Sequence, residues 1–79
     1  MKAICVWYDC YGDPDDNGWV VSLDDLDDQM RAETTETIWS TPDEDEAVER
    51  ALHEGERREL PVYRNTAGKP AELLQAVAE

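Results

Sequence analysis

The segment KAICVWY, residues 2 to 8, carries apolar side chains at nearly every position. Successive side chains of a strand point to opposite faces of its sheet, so both faces of this strand are apolar. A strand of this kind needs cover on both faces. The chain has 79 residues, enough for one small domain with an economical core. We therefore predict that this strand lies inside the sheet of a single domain, residues 1 to 79.

Two more strands are predicted downstream. The run GWVVSL alternates, with Trp19, Val21 and Leu23 on one face and Val20 and Ser22 on the other. It follows the acidic, turn-rich stretch YGDPDDNG, which is typical of a loop between antiparallel strands. The Thr-rich ETTETIWS predicts a third strand. Residues 24 to 33 fit either a short helix or a loop, and the sequence alone does not decide between them.

The main helix is predicted from about Pro42 to Glu54. Thr41 as N-cap, with Pro42 at the first helical position and Glu44 at the third, forms a capping box. Gly55 supplies a stop signal at the C-terminal end. A narrow apolar stripe at helical spacing predicts that the helix packs on the sheet; its members are Ala47, Val48, Ala51 and Leu52.

The last third of the chain predicts a short edge strand and a short helix. Pro61 in LPVYR cannot donate to a ladder, which favours an edge position. The tail PAELLQAVAE begins at Pro70 and has Leu73, Leu74 and Val77 at helical spacing. The predicted fold class is therefore α+β: an antiparallel sheet of three to four strands, one main helix on one face and a short C-terminal helix.

The net charge is −13, and it is unevenly distributed. Residues 1 to 49 contain 15 acidic and 2 basic residues, whereas residues 50 to 79 contain 5 of each. A chain with this charge is repelled by nucleic acid and anionic membranes and attracted to basic protein surfaces. We therefore expect a basic protein partner, with no direct nucleic-acid or membrane binding. A monomer is the favoured oligomeric state.

Residues 13 to 24 resemble the loop of an EF-hand calcium site. Asp13, Asp15 and Asn17 occupy positions 1, 3 and 5, Gly18 position 6 and Asp24 position 12. The flanking segments predict strands instead of the helices that an EF-hand requires. We therefore expect no specific metal and no cofactor, and at most weak cation binding by an acidic turn.

Catalytic chemistry has little support in the sequence. The one histidine, His53, lies on the predicted helix among glutamates, without a nucleophile at recognisable spacing. Cys5 and Cys10 are five positions apart on or near one strand, too far for a disulfide, so reduced thiols are expected. With no signal peptide or apolar span in the sequence, the expectation is a cytoplasmic protein that is not an enzyme.

The acidic residues themselves are the predicted interaction site. Carboxylates on a rigid scaffold can occupy the Lys and Arg positions that otherwise hold a phosphate backbone. The alternative is a solvated acidic face, as in salt-adapted proteins. The predicted partner-binding residues are Asp13, Asp15, Asp16, Asp24, Asp25, Asp27, Asp28, Asp43, Glu44, Asp45 and Glu46.

Two resemblances accompany these predictions. The order β-β-β-α-β over residues 1 to 64, with GWVVSL as second strand and STPDEDEAVERALHEG as the helix, is similar to HicB-like antitoxin domains. That likeness implies a small basic toxin as partner. In size, acidity and lack of catalytic residues, the chain resembles small phage-encoded anti-CRISPR proteins. This second likeness implies an inhibitor that imitates DNA and binds the Lys- and Arg-rich channel of a CRISPR effector complex.

Overall fold

A computed structural model describes residues 1–9, 18–66 and 68–77 of the chain. The elements are β1 (Lys2–Tyr8), β2 (Trp19–Leu26), β3 (Ala32–Thr41), α1 (Glu44–Arg58), β4 (Val62–Arg64) and β5 (Glu72–Gln75). The five strands form one sheet in the order β3-β2-β1-β4-β5. The predicted α+β class is confirmed. None of the helical residues in the described ranges forms a segment long and apolar enough to cross a membrane.

The sheet is mixed, which corrects the prediction of an antiparallel sheet. β1 pairs antiparallel with β2 and β2 with β3, whereas β4 pairs parallel with β1. The reason is the connection through α1. The helix carries the chain back across the sheet, so β4 runs in the same direction as β3 and β1. A crossover of this kind inserts β4 beside β1, and β5 then pairs antiparallel with β4.

The interior position of β4 overturns the prediction made from Pro61. The proline comes one residue before β4 begins, where its missing N–H breaks no ladder bond. Its carbonyl oxygen accepts a hydrogen bond from the backbone N–H of Ile4 at 2.9 Å. Pro61 thus joins β4 to β1, and β5 occupies the edge.

Helix α1 packs on one face of the sheet and closes the main core. Its predicted apolar stripe is confirmed, because Ala47 and Ala51 are fully buried with Val48 and Leu52 packed around them. The strands contribute Ile4, Val6, Val21 and Val62. Small alanines on the helix allow a close approach between helix and sheet, which suits a chain with few large apolar residues.

The helix begins and ends later than predicted. Asp43 is the N-cap, and its Oδ1 accepts a hydrogen bond from the N–H of Asp45 at 2.9 Å. Thr41 is instead the last residue of β3, with its Oγ1 accepting from the N–H of Asp43 at 3.3 Å. At the other end, the helix continues through Gly55 to Arg58 and terminates at Glu59, whose φ of 56° is left-handed.

The second face of the sheet carries a smaller apolar cluster. Ala3, Cys5 and Leu26 are buried there, so β1 is covered on both faces as its sequence predicts. Half-buried side chains pack around them: Trp7, Met30, Ala32, Tyr63 and Ala71.

The predicted C-terminal helix is wrong, because residues 72 to 75 form strand β5. The chain turns at Gly68, which has a φ of 78°, and the N–H of Lys69 donates to the carbonyl of Thr66. This turn returns the chain alongside β4, whose outer edge needs a hydrogen-bonding partner. Pairing with β4 therefore outweighs the local helical spacing of the tail.

Candidate interaction surface

The predicted acidic residues divide into three groups. Asp13, Asp15 and Asp16 lie outside the described residues, in the connection between β1 and β2. Asp24 is inside the protein, with 1% of its surface exposed. The others are exposed; they are Asp25, Asp27, Asp28, Asp43, Glu44, Asp45 and Glu46. Asp24 therefore has to be removed from the predicted contact surface.

Asp24 belongs to a buried polar network on the sheet face opposite α1. Its Oδ1 accepts a hydrogen bond of 2.6 Å from the hydroxyl of Ser22, which in turn accepts one of 3.0 Å from the indole N–H of Trp7. Among the described residues, Asp24 Oδ2 is buried without a hydrogen-bond partner. The network orders this face of the sheet, and it is closed to a protein partner.

Cys5 lies beside the same carboxylate and has no disulfide partner. Burial, the charge of Asp24 and a hydrogen bond to it raise the pKa of the Cys5 thiol far above its ordinary value. The thiol therefore stays protonated at neutral pH, whereas nucleophilic attack and metal binding require the thiolate. Cys5 is a buried free thiol in the structure, and Cys10 lies outside the described residues.

Asp27 organises the turn between β2 and β3, which settles the open question of residues 24 to 33. β2 extends to Leu26, and the chain then turns through Met30, whose φ is 60°. Asp27 Oδ1 accepts hydrogen bonds from the backbone N–H groups of Gln29 and Arg31, both at 2.9 Å. The bond from the Arg31 backbone, followed by those from Gln29 and the Arg31 side chain, lowers the pKa of Asp27. Asp27 therefore stays ionised and fixes the turn.

The acids at the start of α1 are partly engaged in the fold. Asp43 caps the helix, and Glu46 Oε2 accepts a hydrogen bond of 3.0 Å from the hydroxyl of Thr41. Glu44 forms an ion pair with Arg64, whose guanidinium also stacks over the ring of Trp19. Carboxylates in the first turn also stabilise the helix through its dipole.

The exposed acids form two groups at opposite ends of the sheet: Asp27 and Asp28 after β2, and Asp43 to Glu46 at the start of α1. Trp19 pairs with Thr41, so α1 starts at the end of the sheet where β2 begins. Asp27 and Asp28 follow the other end of β2, eight residues further along. At about 3.3 Å per residue, the two groups are roughly 25 Å apart. They do not form one compact patch.

Further exposed acidic residues lie between the two ends, and they are not among the predicted partner-binding residues. Glu33 and Glu36 are exposed on β3, and Glu49 is exposed on α1. None of these three carboxylates forms an ion pair with a described residue. We call Glu33, Glu36 and Glu49, together with Asp28 at the turn, the β3-side acidic row. In the sequence, Glu33 and Glu36 are single glutamates within ETTET, and a search for runs of acidic residues does not include isolated acids.

The positive side chains of α1 gather around one internal carboxylate. Glu54 is 3% exposed and receives Arg50 at 3.3 Å, Arg57 at 3.7 Å and Arg58 at 3.0 Å. Burial alone would raise the pKa of Glu54, but the hydrogen bond from Arg58 and the charges of the three arginines lower it. Three of the chain's seven basic residues are thereby held around one internal carboxylate, and Arg50 also lies 5.3 Å from the ring centroid of Trp39 on β3, near Glu49.

No group of three or more His, Cys, Asp or Glu side chains within residues 1–9, 18–66 and 68–77 is arranged to hold a metal ion. Of the twelve residues that resemble an EF-hand loop, residues 13 to 17 lie outside these ranges. The flanking elements are strands β1 and β2, and Trp19 to Asp24 are part of β2. His53 is exposed on α1.

No family model matches the chain, and no curated protein or solved structure matches it.

Proposed function

We propose that this protein is an acidic interaction module that inhibits a nucleic-acid-handling complex by occupying its Lys- and Arg-rich binding channel. The observation that carries the proposal is the β3-side acidic row, whose carboxylates are exposed and have no ion pair with described residues. Surface acids without partners keep their full attraction for a basic protein. A CRISPR effector complex is the first candidate, on the resemblance to anti-CRISPR proteins.

The dimensions of the acidic surface suit this role. The row and the two acidic ends extend over roughly 25 Å, the length of eight strand residues at about 3.3 Å each. One strand of B-DNA presents a phosphate about every 3.4 Å along the axis, so the surface matches roughly seven base pairs in length. The carboxylates are mounted on a strand and a helix that pack together, and this rigidity lowers the entropy cost of binding.

Charge reversal with a matched control tests the proposal. Glu33→Lys combined with Glu36→Lys changes the net charge by four units on the acidic row. Glu56→Lys combined with Glu59→Lys makes the same change near the C-terminal end of α1, where both residues are exposed. We expect the first pair to weaken binding to a guide-loaded CRISPR effector at least tenfold and to abolish competition with target DNA. The control pair should change affinity less than threefold.

Asp24 is left out of the reversal because a lysine at this buried position would disrupt the fold. Retained folding is checked by circular dichroism for every variant. Equal losses from the two variant pairs would show that only net charge matters, which contradicts a defined surface. Affinity that does not fall between 50 and 500 mM NaCl would also contradict contacts between carboxylates and basic side chains.

The partner class is tested by capture from a lysate of CRISPR-carrying bacteria on immobilised protein, with stepwise elution by salt and mass spectrometry. Recovery of a nucleic-acid-handling complex supports the proposal. Recovery of a small basic toxin would support the HicB-like alternative. No basic partner, together with stability that keeps rising into molar salt, would support a salt-adapted domain and end the mimic proposal.

A further inference from the structure

The sheet has two outer strands, β3 and β5, and their free edges differ in chemistry. β3 carries Glu33 and Glu36 and no basic residue. β5 has the sequence ELLQ, and its one acid, Glu72, is paired across the strands with Arg64. Charged residues on an edge strand discourage pairing with another chain. β3 therefore resists strand addition, whereas β5 has no unpaired charge and is protected only by its short length and the register shift at Leu74.

β5 also exposes apolar side chains. Leu73 is 51% exposed, Leu74 is 37% exposed, and Val77 just beyond the strand is 43% exposed. The register between β4 and β5 shifts at this point, so Leu74 has no partner residue in β4. No described strand pairs with the outer edge of β5. An edge that combines unpaired backbone groups with exposed leucines is suited to pairing with another strand.

The distribution of charge selects a second copy of the chain as the occupant. Residues 50 to 79 are neutral overall, whereas the excess negative charge is in residues 1 to 49. In an edge-to-edge pair through β5, nine strand spacings of about 4.8 Å separate the two β3 strands, a distance of roughly 43 Å. That distance is several times the screening length of about 8 Å at physiological salt. Contact through the acidic face would instead bring like charges together.

We propose that β5 pairs antiparallel with β5 of a second copy and joins two sheets into one of ten strands. Antiparallel pairing about a twofold axis makes the edge complementary to itself. The one acid of β5, Glu72, already lies opposite Arg64 within its own sheet. The pairing leaves the β3-side acidic row free and does not depend on the proposed function.

The dimer is expected to be weak, because each strand has only four residues. Interfaces smaller than about 1,200 Å² are typical of transient complexes. Its salt response is distinctive. Salt screens the repulsion between two chains of charge −13 and strengthens the dimer, whereas salt weakens binding of the acidic row to a basic partner.

Sedimentation velocity of the full chain between about 10 µM and 1 mM tests the proposal. We expect the weight-average sedimentation coefficient to rise with concentration, and more strongly at 500 mM than at 50 mM NaCl. Leu73→Lys combined with Leu74→Lys should keep the chain monomeric. Thr34→Lys combined with Thr37→Lys adds the same charge to exposed positions of β3 and should leave the dimer intact.

Backbone amide exchange gives a second measurement that locates the contact. Exchange at Glu72 to Gln75 should slow as the protein concentration rises, while exchange at the free edge of β3 should not change. A chain that stays monomeric at 1 mM and 500 mM NaCl would overturn the proposal. A dimer that persists in the leucine variant, or that protects β3 instead of β5, would overturn it as well.

Discussion

Gly55 shows how one residue can be misinterpreted when only its local propensity is considered. Within the sequence it is a helix stop, yet it lies inside α1 and is buried. A Cβ atom at this position would be 2.3 Å from Cγ2 of Val62 and 3.0 Å from the carbonyl oxygen of Leu60. The glycine is therefore needed for the close approach between the helix and the start of β4.

Replacing Gly55 by Ala is predicted to destabilise the protein. In an exposed helix interior, this change stabilises by about 1 kcal/mol. Here the added methyl group collides with β-branched Val62 and with backbone, and overpacking of this kind costs about 1 to 3 kcal/mol. Urea unfolding followed by tryptophan fluorescence measures the difference.

Glu49→Ala on the exposed face of the same helix is the control. The double variant Gly55→Ala, Val62→Ala should lose less stability than the sum of the two single changes. The reason is that the new alanine Cβ and Cγ2 of Val62 would otherwise occupy the same space. A Gly55→Ala protein as stable as the wild type would contradict the close contact between Gly55 and Val62.

Asp24 and Asp25 differ in environment although they are neighbours. Consecutive strand residues point to opposite faces, so Asp24 joins Ser22 on the buried face while Asp25 faces solvent. The predicted alternation in β2 already placed Ser22 opposite Val21. Asp24 shares the face of Ser22, and the alternation did not predict that this face is covered as well, so the run of acids was interpreted as one exposed group.

At the scale of elements, α1 depends on the cluster of arginines around Glu54. The carboxylate is nearly inaccessible and receives hydrogen bonds from Arg50 and Arg58. These bonds span one helical turn on either side of Glu54, so they also reinforce the helix itself. The arginines are 27% to 64% exposed, and solvent therefore screens part of the interaction.

Glu54→Gln is predicted to lower the free energy of unfolding by about 1 to 3 kcal/mol at pH 7, since hydrogen bonds to a charged group are lost. The pKa of Glu54 is lowered in the folded state. Its contribution is therefore complete above the ordinary glutamate value of 4.5 and disappears as the pH falls through the lower folded value.

Urea unfolding of both proteins between pH 8 and pH 3 checks this dependence. The difference between wild type and variant should be constant from pH 8 to about pH 5 and should shrink below that, following the lowered pKa. Glu56→Gln on the exposed side of α1 is the control and should change little at any pH. A difference that grows on acidification would contradict the sign of the shift.

On the scale of the whole molecule, the unbalanced charge stores repulsion in the folded state. Part of this repulsion acts between Asp25 and Glu33, which lie directly opposite each other across β2 and β3. Like charges in this position are destabilising. Asp25 gains some relief from the amino group of Met1 at 3.0 Å, whereas Glu33 has no ion pair with a described residue.

Glu33→Lys is predicted to raise the free energy of unfolding by about 0.5 to 1 kcal/mol at 20 mM NaCl, because it replaces repulsion with attraction. The gain should shrink at 500 mM NaCl as the charges are screened. Thermal and urea unfolding at the two salt concentrations measure it. Glu36→Lys changes the net charge equally at a β3 position whose cross-strand partner is Leu23; an equal gain from this control would mean that total charge, and not the Asp25–Glu33 pair, sets the stability.

The sequence by itself determined the local elements whose stability comes from their own pattern. Alternation identified β1 and β2, the Thr-rich composition identified β3, and the apolar stripe identified the buried face of α1. These predictions succeeded because side-chain direction within a strand or helix follows from its period alone. The exposed positions of most of the predicted acids also followed from composition.

Only the tertiary structure decided the rest. The crossover through α1 placed β4 inside the sheet, and the free edge of β4 drew the tail into β5 instead of a helix. Packing against Val62 carried α1 through Gly55. Pairing of β2 with β3 set the acidic groups at opposite ends of the sheet and lined Glu33 and Glu36 between them. Each of these outcomes depends on contacts between residues far apart in the chain, which local propensity does not contain.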